Sequence, residues 1–119
     1  MKRKLLLASL FAVAISPNVA QANDIGVAIC QSVIGNDKHG LRLALRSGGF
    51  KLRSIYEDLR CNDKSLVQLA FENEATDIGT YIISKVSKST LEKVGDLTWA
   101  DANGYSGSPI YADLKSRME

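Results

Sequence analysis

The sequence predicts a mainly α-helical domain of about four short helices in two helical hairpins, held by one disulfide and followed by a flexible polar tail. Three observations carry that expectation. Apolar residues recur at three- and four-residue spacings in several stretches, the pattern of helices buried on one face. Turn formers, Gly35-Asn36, Gly48-Gly49 and Asn62-Asp63, separate those stretches. Two cysteines, Cys30 and Cys61, stand in a chain that opens like an exported protein.

Met1-Lys2-Arg3-Lys4 is a positive n-region, and Leu5 to Ile15 is an apolar run of h-region length. Ser16 and Pro17 interrupt it, and Ala20-Gln21-Ala22 supplies the small side chains that fit a signal peptidase. Cleavage is expected after Ala22, which removes 22 of the 119 residues and directs the rest to the periplasm or beyond. Cys30 lies too far past that point to receive a lipid, and no later segment is apolar enough to span a bilayer, so no stable membrane insertion is expected after cleavage. The whole chain carries a net charge of +2, but three of its 15 basic residues belong to the n-region. The mature part then sets 12 basic against 13 acidic side chains, a balance that gives no reason to expect nucleic acid as a partner.

In Asp24 to Ile34, Ile25, Ile29, Cys30 and Val33 share one helical face, with Asp24 as N-cap. Gly35-Asn36 breaks the pattern. Asp37 to Ser47 is the second helix, with Leu41, Ala44 and Leu45 on one side and Lys38, Arg42 and Arg46 four apart on another, and Gly48-Gly49 ends it. Phe50 to Arg60 satisfies both strand and helix patterns and reads as a connector with a helical turn or two. Leu66, Val67, Ala70 and Phe71 give a short amphipathic helix ending near Asn73. Thr76-Asp77 caps the next, which carries Ile78, Ile82, Ile83 and Val86, with Tyr81 and Lys85 beside them. From Ser87 the texture turns polar. The domain is expected to occupy residues 23–94, and residues 95–119 to be a disordered tail or a weak hairpin through Leu97 to Trp99 and Ile110 to Ala112.

Export makes the compartment oxidising, and two cysteines allow one intramolecular pairing. Closing the loop between Cys30 and Cys61 removes roughly 3 to 4 kcal/mol of unfolded-chain entropy in the simple polymer model. A redox-active pair would place the two thiols in a Cys-x-x-Cys arrangement, which is absent. The bridge therefore reads as structural.

Ala28-Ile29-Cys30 and Cys61-Asn62-Asp63 flank this helical region, and together they resemble the Ala-Ile-Cys and Cys-Asn-Gly motifs of a family of small exported gammaproteobacterial proteins of unknown function. The chain departs from that pattern at Asp63, where the family has glycine. The resemblance covers about Asp24 to Val86, implies an exported domain and brings no activity with it. A weaker likeness is to ankyrin-type helical hairpins. Ser65-Leu66-Val67-Gln68-Leu69-Ala70 parallels the Thr-Pro-Leu-His-x-Ala helix of that repeat, with its Thr-Pro, His and turn glycine replaced.

Chemistry is sparse. The single histidine, His39, stands on the charged side of its helix without the partners that catalysis or a metal needs. Gly104-Tyr105-Ser106-Gly107 lacks the second glycine spacing of a nucleophile elbow, and Asp101-Ala102-Asn103-Gly104 lacks the first and last ligands of a calcium loop. Glu57-Asp58 and the pair Glu72 and Glu74 read as solvated helix charges, and Gly48-Gly49 follows a helix where a phosphate cradle would precede one. No catalytic residue, metal ligand or cofactor is expected, and an enzyme would require a convergent polar pocket around His39. What stands out is basic: Lys38, Arg42 and Arg46 as a candidate anion-binding stripe, followed by Lys51, Arg53 and Arg60. The expected role is an exported binding or structural module of the bacterial envelope whose partner is another envelope protein. A small periplasmic enzyme, or an inhibitor or accessory subunit, is the alternative.

Overall fold

The computed structural model describes residues 17–119, with side-chain surroundings from Asp24 onward. The apolar run expected to be part of an export signal lies outside the described residues. Within them the chain forms eight helices rather than about four: α1 (Pro17–Ile34), α2 (Lys38–Gly48), α3 (Leu52–Ile55), α4 (Leu66–Glu72), α5 (Thr76–Lys85), α6 (Lys88–Val94), α7 (Asp96–Ala102) and α8 (Pro109–Met118). The consecutive helices expected to form the two hairpins, α1 with α2 and α4 with α5, are in contact. The connector holds the single helical turn α3, and α6 to α8 replace the expected end of the domain and its tail. None of the described helices is long and apolar enough to cross a membrane.

The local chemistry explains each boundary. Pro17 opens α1, where its fixed φ and missing N–H are tolerated, so Asp24 lies inside the helix and is not its cap. Ile29 and Val33 bury the face that the spacing marks, and Asn36 then turns the chain with a φ of 54°. Asp37 caps α2 by accepting from the Gly40 N–H at 2.9 Å, Leu41 and Leu45 are buried beneath it, and Gly49 ends it at a φ of 69°. Asn36 also has a long-range role. Its Oδ1 accepts from the Ile78 N–H at 2.9 Å. The N-cap of α5 is Ala75, which has no side-chain oxygen, so the first hairpin supplies the cap of the second.

Cys61 and Lys64 exchange backbone hydrogen bonds across a tight turn, with Asn62 at φ 54° and Asp63 at φ 66°. Positive φ at both central residues is type I′ geometry. The turn presents Cys61 to Cys30 of α1, and the disulfide joins them. One residue later Ser65 and Gln68 form a capping box, each side chain bonding the other's backbone N–H at 3.1 Å. Leu66 to Phe71 are all buried, so α4 is the central helix, covered on every side, and not the amphipathic surface helix its short pattern suggests.

Helix α7 and the segment after it cover α4, while α8 covers α5. Asp96, the first residue of α7, is wholly buried. Its Oδ2 accepts from the Tyr56 hydroxyl at 2.5 Å, and its Oδ1 accepts from the Ser65 hydroxyl at 2.7 Å and from Gln68 Nε2 at 3.0 Å. Phe71 packs against Tyr105 at 5.3 Å between centroids, and Tyr105 stacks on Trp99 at 5.4 Å. Ile110 and Leu114 are buried beside α5, where a Cβ on Gly79 would come within 3.0 Å of Ile110. Arg117 then bonds the Ile83 and Val86 carbonyls at 3.3 and 3.0 Å, satisfying acceptors at the end of α5. Asp101, the first residue of the calcium-like series, instead accepts from the Tyr111 hydroxyl at 2.6 Å.

Burial raises the Asp96 carboxyl above the ordinary aspartate range, against the opposing pull of its hydrogen bonds from Tyr56, Ser65 and Gln68 and of the Arg60 charge. Burial, with the adjacent Asp96, holds the Tyr56 phenol well above its usual value. Tyr56 therefore stays a donor throughout the ordinary pH range.

Asp63→Gly removes the cost of a side chain at positive φ and should raise stability by about 0.5 to 1 kcal/mol, read as a higher midpoint in urea. Asp96→Ala leaves three buried donors without an acceptor and should cost about 3 kcal/mol, with Asp96→Asn costing less. Between the unfolded and the raised folded pKa of Asp96 the native state holds more protons than the unfolded chain. The wild-type advantage over Asp96→Asn is therefore greatest below about pH 4 and shrinks as pH rises through the folded value. Urea titrations of both proteins at several pH values measure it.

Candidate functional site

Two polar constellations stand out, and access separates them. The Asp96 cluster is fully buried and its hydrogen bonds are directed at one another, which is the chemistry of a fold-specifying network. The second is open to solvent and basic.

Four segments build it. Helix α2 buries Leu41 and Leu45, and the helical period then turns Arg42 and Arg46 outward. Gly49 reverses the chain so that Lys51 and Arg53, in and before α3, face the same space while Leu52 anchors that turn in the core. Helix α5 contributes Tyr81 and Lys85 one turn apart, on the flank of its buried Ile78 and Ile82 face. The result is a cleft of about 370 Å³ with five cationic side chains, from Arg42, Arg46, Lys51, Arg53 and Lys85, and no carboxylate in its wall.

The floor and rim of this cleft are aromatic. Lys38 and Lys85 lie over the Tyr81 ring with their ammonium groups 5.7 and 5.6 Å from its centroid, so cation–π attraction holds both ends of the row in place. Phe50 lines the side nearest α3 and stays 38% exposed. The salt bridges among the described residues are Lys64–Glu72 and Lys93–Glu57, so none of the five cleft cations is engaged in one.

The sequence stripe of Lys38, Arg42 and Arg46 is therefore divided by the structure. Arg42 and Arg46 line the cleft, while Lys38 reaches it through the Tyr81 ring. Lys51 and Arg53 join them, whereas Arg60 lies outside the wall and acts on Asp96. Lys85 and Tyr81 are the residues the charge pattern missed. Their position one turn apart, off the apolar stripe of α5, is the signal that marks them as a surface pair. His39 is exposed and not part of the cleft wall. The disulfide of Cys30 and Cys61 holds the fold and has no place in this wall.

Chemically the arrangement can hold an anion. Arginine forks and lysine ammonium groups offer donors in several directions, with aromatic faces below them. Its wall holds no carboxyl, thiol or imidazole. Neither a curated protein nor a solved structure matches the chain. A family model described as "Protein of unknown function (DUF3718)" matches residues 29–93, which include every residue of the cleft wall. That match spans more than half of the chain, and the chain belongs to this family.

Proposed function

We propose that this chain is an exported, disulfide-braced binding module of the bacterial envelope whose basic cleft takes an anionic ligand. The observation that carries the reading is the convergence of five cations from α2, α3, the segment between them and α5 on one space, with no carboxylate in its wall. Like charges this close repel, and burial of Leu45 and Leu52 alone would not require basic residues beside them. A bound anion removes that repulsion. The export reading is supported by the n-region, the apolar run and Ala20-Gln21-Ala22, and by a disulfide of the kind that persists in oxidising compartments. An acidic surface of another envelope protein is the macromolecular form such a ligand would take.

Titration with inorganic pyrophosphate, followed by amide chemical shifts, tests the cleft. Saturable shifts are expected in α2, α3 and α5, weakening as salt shortens the screening length from about 10 Å at 0.1 M to about 3 Å at 1 M. The triple change of Arg42, Arg46 and Lys85 to glutamine should reduce affinity at least about tenfold while altering stability little, since all three are exposed. Shifts spread evenly over remote lysines such as Lys88 and Lys115 would show that the cleft is an ordinary solvated face.

A further inference from the structure

Beside the basic cleft runs a second, apolar groove of about 220 Å³, and the two share Phe50 as a common wall. Ile25, Gly26 and Ile29 of α1 form one side of this groove, and Ile55 at the end of α3 with Leu59 in the segment that follows form the other. Gly48 sets the junction. A Cβ there would stand 2.6 Å from the Phe50 ring and 2.7 Å from Ile25, so only the bare helix end lets both side chains lie where they do. Gly26 can carry a Cβ without strain, since one there would lie in ordinary van der Waals contact with Leu59 at 3.7 Å. The groove has an asymmetric character as well. Asp58 is the one charged residue in its wall, opposite in sign to the cations of the cleft.

We infer that the two spaces form one site for a single molecule of an anionic amphiphile, its head among Arg42, Arg46 and Lys85 and its hydrocarbon chain laid past Phe50 into the groove of Ile25, Ile29 and Leu59. Charge complementarity fixes the orientation. The cleft attracts the head, and Asp58 repels it from the groove, so the chain is the part that enters there. An exposed phenylalanine between a cationic space and an apolar one has a role in this arrangement, because it contacts the chain where the chain leaves the head. The inference rests on the anion-binding reading and adds the nature of what is attached to the anion.

Binding of inorganic phosphate, hexyl, octyl and decyl phosphate to the purified chain, each below its micelle concentration, tests both parts separately. Each methylene that enters the groove should tighten binding roughly three- to fourfold, so at least about tenfold is expected across the series. Gly26→Leu fills the groove from a helical position with room for a Cβ. It should abolish the gain with chain length and leave phosphate binding unchanged. Arg42→Gln with Arg46→Gln should weaken every member of the series, and octyl glucoside, with the same chain and no charge, should bind at least about tenfold more weakly than octyl phosphate. Equal affinity across the series would overturn the amphiphile and leave the anion reading standing. Equal affinity for octyl glucoside and octyl phosphate would overturn both. Binding to phosphatidylglycerol vesicles without binding to the monomeric alkyl phosphates would assign the face to a membrane surface and also overturn the proposal.

Discussion

The carboxylate of Asp96 is the contact on which the arrangement of helices turns. It is a carboxyl group in the interior, and such a group is tolerated only when its oxygens find hydrogen-bond partners. The donors are three side chains from two places: Tyr56 just after α3, and Ser65 and Gln68 at the start of α4. Two of them already belong to a capping box, so the network extends a local motif into a tertiary one. The consequence reaches the surface. With Tyr56 fixed, the short α3 cannot rotate, and Lys51 and Arg53 are kept facing α2 and α5. A four-residue helix has almost no stability of its own, so a buried phenol is the means by which it holds two cations in position.

The remaining walls are placed by two further constraints of different kinds. The disulfide ties α1 to the turn before α4, which fixes Ile25 and Ile29 opposite α3. Asn36 caps α5 from the loop that joins α1 to α2, and so it sets the first hairpin against the second by a directional bond. Apolar packing alone is nearly indifferent to small slides of one hairpin on the other, whereas a backbone N–H that needs its acceptor is not. That bond leaves α2 beside α5, with Arg42 and Arg46 across from Tyr81 and Lys85. Asn36 also holds a φ of 54°, a conformation that asparagine tolerates better than most residues, so one residue both makes the turn and caps the neighbouring helix.

Helices with a clear stripe and good punctuation are legible in the sequence alone. The faces of Leu41 with Leu45 and of Ile78, Ile82 and Ile83, the stop at Gly49, the bridge between Cys30 and Cys61 and the helical turn in the connector all follow from spacing and residue chemistry. Helices α6 to α8 are not legible in that way, for a physical reason. Two of them have seven residues and bury one or two side chains each, too few turns for a period to emerge from the sequence. What folds them is long-range: Asp96 on the α4 cap, Tyr105 on Phe71, and Arg117 on the end of α5. Their caps are nevertheless written in the chain, as Ser87 three residues before Thr90 and as Ser108 followed by Pro109. The basic cleft is half legible, because most of its cations come from one charge-rich stretch in and after α2 while Lys85 arrives only through the packing of α5.

The charge distribution on α2 is the part of the surface on which the proposed function rests. A solvated helix face usually alternates signs, since each opposite pair at a four-residue spacing gains a few tenths of a kcal/mol and each like pair loses as much. Helix α2 does the reverse. Lys38, Arg42 and Arg46 are successive like-charge pairs, and Lys38 stands at the positive end of the helix dipole, where a cation is also disfavoured. Acids are abundant in the chain, yet the salt bridges among the described residues engage Lys64 and Lys93, not the cations of the cleft. Asp37 at the N-cap and the Tyr81 ring offset the cost at Lys38, which leaves the like-charge pair of Arg42 and Arg46 without a salt bridge among the described residues. Positions that break a local rule cluster at functional or strained sites, which is why the proposed function is placed on this face. In the reading proposed above that partner is an anion, and the apolar groove that shares Phe50 with the cleft extends the proposal to what the anion carries.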